Sequence, residues 1–107
     1  MHEGIDDFHL PDEESVASAV ETLRMLADPT RLKIMWALVQ GEENVACLAD
    51  IAGARPTAIS QHLAKLRLAG LVHTRREGTY IYYTAVPGVA KRILEAALEE
   101  REPAEGA

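Results

Sequence analysis

Thr57, Ser60, Gln61, Ala64 and Lys65 recur at three- and four-residue intervals, the spacing of one side of a helix. Their chemistry suits a DNA groove. A Gln amide can bond adenine at two points, Ser and Thr hydroxyls can meet bases or phosphates, and Lys can meet guanine or phosphate. Ala64 and the Thr57 methyl could touch a thymine methyl. The N-terminal part of a groove-reading helix points at base edges, so Thr57, Ser60 and Gln61 are the readout candidates and Arg55 and Lys65 the candidates for holding the backbone. Arg75 and Arg76 sit beside a later turn, where one of them could enter a minor groove or lie on phosphate. The plainer alternatives are a solvated helix face and two solubilising charges.

The charge context favours the polyanion. Residues 51–76 hold Arg55, Lys65, Arg67, Arg75 and Arg76 and no Asp or Glu, while the 107-residue chain carries 17 acidic against 11 basic side chains and a net charge of −6. Carboxylates facing phosphate would weaken binding, so a cationic window in an acidic protein marks a surface for a polyanion.

Local signals position these residues. Val16, Ala19, Val20, Leu23 and Leu26 predict a first helix over residues 15–27 with one apolar face. Asp28 can cap a second helix that Pro29 opens, with Leu32, Met35, Trp36 and Val39 on one face and a stop at Gln40-Gly41. Asn44 can cap a short third helix that buries Val45, Leu48, Ala49 and Ala52 and ends at Gly53. Pro56 opens a fourth, with Ile59, Leu63 and Leu66 inward, and Gly70 closes it. The third and fourth helices with the turn Gly53-Ala54-Arg55 form a candidate helix-turn-helix. Residues 71–77 and 79–85 read as two strands joined at Glu77-Gly78. Pro87 starts a last helix through about Arg101, with Val89, Ile93, Ala96 and Ala97 on one face, extended by Leu94 and Leu98. The fold class expected is a mostly α winged helix-turn-helix, α-α-α-α-β-β-α, forming a homodimer. Residues 1–14 are an acidic mobile arm, 15–101 the domain and 102–107 a polar tail.

Composition sets bounds. One modest domain fits this length. Hydrophobic residues make up 48%, which excludes a wholly disordered chain, and aromatics are few, so the core must be aliphatic. Pairing of two copies would bury more apolar surface. No apolar run approaches the roughly 20 residues of a membrane span, and the N-terminus lacks the pattern of a signal peptide. A single Cys47 cannot form an internal disulfide, which points to a reducing cytoplasm.

On Leu26-Ala27-Asp28-Pro29-Thr30-Arg31-Leu32, then Ala58-Ile59-Ser60-Gln61-His62-Leu63-Ala64-Lys65-Leu66, then Gly70-Leu71-Val72 and Gly78-Thr79-Tyr80-Ile81-Tyr82-Tyr83, the chain resembles the ArsR/SmtB family of small bacterial metal-responsive repressors over residues 16–97. The resemblance implies a homodimer formed by the first and last helices and an operator released when an effector binds. It puts Ser60 and Gln61 on the reading face. Two symmetric copies would address half-sites about one helical turn (~34 Å) apart on a near-palindrome.

The family's metal sites are not matched. Its cysteine site at the start of the third helix corresponds to Glu43-Asn44-Val45-Ala46-Cys47-Leu48, with Asn44 at the leading cysteine and Cys47 where an Asp is usual. Its last-helix site corresponds to Pro87, Val89, Glu100 and Pro103, of which only Glu100 could ligate. Candidate ligands are therefore His2 and His9 with the arm's Glu3, Asp6 and Asp7, a set that suits Ni, Co or Zn, together with His73 and Glu100. The arm as mere solvated chain is the alternative, and an accessory protein could carry the metal instead. His62 is expected to be half-buried and hydrogen-bonded. Cys47 is expected to be buried and inert.

Two other classes compete. An enzyme would need a phosphate loop, a nucleophile-base pairing or a carboxylate cluster in an apolar frame, none of which stands out. A winged-helix protein-interaction module would not need a carboxylate-free helix and wing. A regulator answering a non-metal signal is the remaining alternative.

Overall fold

The computed structural model describes residues 8–99. Helix α1 spans Glu13–Leu26, α2 Pro29–Leu38, α3 Val45–Ala52 and α4 Pro56–Leu68; strands β1 (Val72–Glu77) and β2 (Tyr80–Ala85) follow, then α5 (Val89–Glu99). The element order is the one expected. Several boundaries move, each for a local reason.

Asp12 caps α1, its carboxylate accepting from the Ser15 amide at 2.7 Å. Glu13 and Glu14 thus form the first turn, where the helix dipole favours acids. Helix α1 therefore takes in Glu13 and Glu14, two residues before the expected start at residue 15. Asp28 caps α2 by accepting from the Arg31 amide at 2.9 Å, with Pro29 opening the helix. Gly88 adopts φ 136°, a backbone geometry that does not continue a helix, so α5 begins at Val89 rather than Pro87. The hairpin turn is Gly78-Thr79, one residue later than expected, because Glu77 still pairs with Tyr80. Gly78 supplies the positive φ that two-residue hairpin loops favour.

Helix α2 occupies the centre and touches α1, α3, α4, α5 and β2. A helix so surrounded buries more than one stripe. Ile34, Met35 and Leu38 are buried, while the expected Leu32, Trp36 and Val39 are half-buried around them. Leu48, Ile59, Leu63, Leu66 and Leu94 complete the most deeply buried part of the core.

The outer helices depart further from expectation. Of the apolar face read for α1, only Leu26 is buried, and Val16, Val20 and Leu23 are exposed. In α5, Ala90 and Leu94 face the core while Val89, Ala96 and Ala97 lie in water and Ile93 is half-buried. The radius of gyration is 17.0 Å, against about 13 Å for a compact chain of this length. No helix among the described residues is long and apolar enough to cross a membrane.

The Arg31 amide bond holds the Asp28 carboxyl below its ordinary range, with the nearby Arg31 and His62 adding to the effect. A lowered folded value means that the cap stabilises fully above about pH 4 and loses its effect as pH falls through that lowered value. Asp28→Ala should cost about 1 kcal/mol at pH 7, lowering Tm by about 4–8 °C. The gap from wild type should narrow in thermal melts taken below about pH 4.

Candidate nucleic-acid interface

The stripe Ile59, Leu63 and Leu66 is 0–1% exposed, which fixes the rotation of α4 about its axis. Thr57, Ser60, Gln61, Ala64 and Lys65 are consequently all exposed, on the side away from the core. Leu68, 91% exposed, continues this stripe one turn on. Its position four residues after Ala64 could have located it, but its apolar type offered no polar contact to propose. Gly53, with φ 67°, ends α3 and turns the chain toward α4. Arg55 stands at the α4 cap position without a side-chain cap bond. Among the described residues the Thr57 and Ala58 amides have no hydrogen-bond partner, beside an exposed guanidinium.

His62 lies at the edge of the buried stripe, half-buried as expected. Arg31 donates to its Nδ1 at 3.2 Å and to the Met25 carbonyl at 2.8 Å, tying α4 to the end of α1.

The hairpin separates its two arginines. Alternation puts Val72, Thr74 and Arg76 on one face with their partners Ala85, Tyr83 and Ile81. Val72 is in the core, and Tyr83 and Ala85 pack against it. Ile81 and Tyr83 share a cleft with Ser60, Asn44 and Thr79, so Arg76 belongs to the hairpin face turned toward α4.

Arg75 lies on the opposite face. Its Nε and Nη2 donate to the two Glu42 oxygens at 2.6 and 2.8 Å, and its Nη1 donates to Glu77 at 2.8 Å. The guanidinium stands 4.8 Å from the centre of the Tyr82 ring. These bonds hold the Glu42 carboxyl below its usual range and push the guanidinium up. The carboxylate-free window is therefore less isolated in space than along the chain, since both acids lie just outside it. Among the described residues no carboxylate pairs with Arg55, Lys65, Arg67 or Arg76.

Among the described residues the candidate metal ligands do not converge. His9 is exposed in an irregular segment, and His73 is exposed on β1 opposite Thr84, on the hairpin's outer face. His2 and Glu100 lie outside the described residues. Among those described, no three His, Cys, Asp or Glu side chains form a group able to hold a metal. Asn44, at the position of the family's leading cysteine, spends its side-chain oxygen on the Cys47 amide at 2.9 Å. The residues at this location do not fit a metal centre.

Cys47 is exposed, which corrects the expectation of a buried thiol. Leu48, Ala49 and Ala52 take the inner face of α3 and leave Cys47 on the outer one. A hydrogen bond with the Glu43 side chain, with smaller contributions from desolvation and from the Glu43 and Asp50 charges, pushes the thiol up. Cys47 should label with a maleimide in native protein, slowly at pH 7 and faster toward pH 9, and Glu43→Gln should accelerate labelling at pH 7. Labelling only after denaturation would contradict this placement.

A helix-turn-helix with an exposed polar stripe, flanked by a hairpin whose Arg76 has no carboxylate partner among the described residues, defines a winged-helix DNA-binding domain. Known proteins agree. Residues 28–74 match the model of the bacterial regulatory protein, arsR family. The HTH-type transcriptional regulator KmtR of Mycobacterium tuberculosis is 51% identical over 74 residues, 69% of this chain; the match spans 56% of the length of that relative. The crystal structure of the AntR antimony-specific transcriptional repressor superposes with a TM-score of 0.82 at 30% identity, covering 100% of this chain and 97% of that one. The homodimeric winged helix-turn-helix domain of Mb0332 from Mycobacterium bovis, a possible ArsR-family transcriptional regulator, gives a TM-score of 0.75 at 29% identity, covering 94% of this chain and 91% of that one. The chain belongs to the ArsR family of bacterial regulatory proteins and is a DNA-binding transcriptional regulator.

Proposed function

We propose that this protein binds a near-palindromic DNA operator as a homodimer in the cytoplasm. Thr57, Ser60 and Gln61 read base edges, while Arg55, Lys65 and Arg76 hold the backbone. The observation that carries this reading is the exposed α4 stripe, free of carboxylates and bordered by four cations with no ion-pair partner among the described residues. The uncapped start of α4 supports it too, because free amides at a helix N-terminus attract phosphate. Dimerisation is supported by the bare apolar residues Val16, Val20 and Leu23 on α1 and Val89 on α5, and by the homodimeric Mb0332 domain. A groove lined by Ser15, Ala19 and Val89 brings the start of α5 beside α1.

The division of roles has a direct test in salt-dependent binding to a duplex selected from a random pool. Wild-type affinity should fall steeply with salt. Arg76→Ala should weaken binding to every sequence and flatten the salt slope by about one phosphate contact. Gln61→Ala should mainly cost about 1–3 kcal/mol of discrimination between the selected and a random duplex. Equal loss on both duplexes would remove Gln61 from readout.

The effector proposed is a transition-metal ion, Ni, Co or Zn. The antimony-specific repressor AntR, which shares this fold, sets a precedent for an inorganic effector. His2 and His9, with the carboxylates around them in sequence, are the donors this chain offers. In a second version an accessory protein carries the metal. Calorimetric titration of each ion into the protein should show binding tighter than about 0.1 mM that is lost on joint substitution of His2 and His9 by Ala. No heat of binding with any of the three ions would exclude direct sensing.

A further inference from the structure

We infer that Glu42 is a positioning residue for DNA binding: by clamping Arg75 it sets the hairpin against the helix-turn-helix, and Arg75 serves as a strut rather than a phosphate contact. The inference rests on the interface proposed above and adds to it an acidic residue on which binding depends.

The geometry begins at the backbone. Tyr83 donates its amide to the Glu43 carbonyl at 2.9 Å, and the Glu43 amide donates to the Tyr83 carbonyl at 3.1 Å. Glu43 is thus a one-residue strand on the edge of β2 away from β1. Arg75 starts on β1, across β2 from Glu43. Two strand spacings, about 10 Å, separate those segments. The Arg75 side chain crosses this gap over the Tyr82 ring and closes on both oxygens of Glu42, the neighbour of Glu43. One side chain therefore fastens β1, β2 and the segment leading into α3. That segment ends at Asn44, the α3 cap, so the clamp joins the wing directly to the first helix of the helix-turn-helix.

Charge and hydrogen bonding agree with a strut. A guanidinium offers five N–H groups in a fixed fork. Three of its nitrogens here already donate to Glu42 and Glu77. Two carboxylates around one cation leave a local surplus of negative charge, which repels phosphate. Arg76, on the other hairpin face and without a carboxylate partner among the described residues, meets no such competition.

The two roles predict opposite signs. If Arg75 leaves Glu42 to grip phosphate, Glu42 competes with DNA, and neutralising it tightens binding. If Glu42 positions the wing, neutralising it weakens binding although a negative charge has been removed. The pair is partly exposed, so the effect is a few-fold rather than an abolition.

The experiment measures affinity across a salt series, with the duplex selected by the wild-type protein, for Glu42→Gln, Arg75→Ala, the double variant and Arg76→Ala. Amide hydrogen exchange at Glu43 and Tyr83 is followed in each free protein. Glu42→Gln and Arg75→Ala should each weaken binding roughly three- to fivefold with the salt slope unchanged, and the double variant should be no worse than either. Exchange at Glu43 and Tyr83 should quicken in all three and stay unchanged in Arg76→Ala. Tighter binding by Glu42→Gln, or a salt slope flattened by Arg75→Ala as by Arg76→Ala, would overturn the strut. Should DNA binding prove indifferent to Gln61 and Arg76 alike, the interface itself is misplaced; unchanged amide exchange in Glu42→Gln then overturns the clamp by itself.

Discussion

Ile59, Leu63 and Leu66 stand four and three residues apart, project from one side of α4 and vanish into the core against α2 and α3. Fully burying each such side chain is favourable by about 1.5–3 kcal/mol. Turning α4 by one residue, about 100°, would carry all three away from the core and bring Ser60, Ala64 and Arg67 inward, sinking a hydroxyl and a charge into an aliphatic interior without partners. The outward stripe is thus presented by what lies beneath it. The proposed interface follows from that rotation: the candidate readout side chains, the α4 start that lacks a side-chain cap among the described residues, and the cleft shared by Ser60, Ile81 and Tyr83.

Charge is arranged around the same axis. The chain carries a net −6, yet Arg55, Lys65, Arg67 and Arg76 keep their charges free of ion pairs among the described residues. An acidic remainder limits unselective adhesion to nucleic acid while the cationic face concentrates attraction on one side. Arg75 lies on the opposite face, paired with two acids. The hairpin thereby gives neighbouring arginines different surroundings, because adjacent side chains on a strand point to opposite faces.

Local chemistry was readable from the residues alone. Asp28, Asn44 and Gly53 act through amides or dihedrals within a few residues of themselves, so the helix starts and stops they dictate were found in place. The inner stripe of α4 was readable from spacing. Other features depend on partners distant in sequence. Glu42 and Arg75 are 33 positions apart, and no window around either arginine of the hairpin reveals the clamp. Periodicity located the apolar stripes of α1 and α5 but could not say that Val16, Val20, Leu23 and Val89 would stay outside the core. A stripe reserved for another surface looks the same in sequence as one that packs inward. Cys47 was misjudged for a related reason. Its apolar neighbours signal a buried helix face, but the 100° step between residues gives that face to Leu48.

The central claim is that one side of the molecule, built from α4 and the inner hairpin face, meets the duplex. Backbone amide NMR shifts recorded while the selected duplex is titrated into the protein test this most directly. The account predicts the largest changes at Thr57, Ser60, Gln61, Lys65 and Arg76, with Val16, Val20 and Leu23 unmoved. Changes concentrated on α1 and α5, with α4 silent, would contradict it.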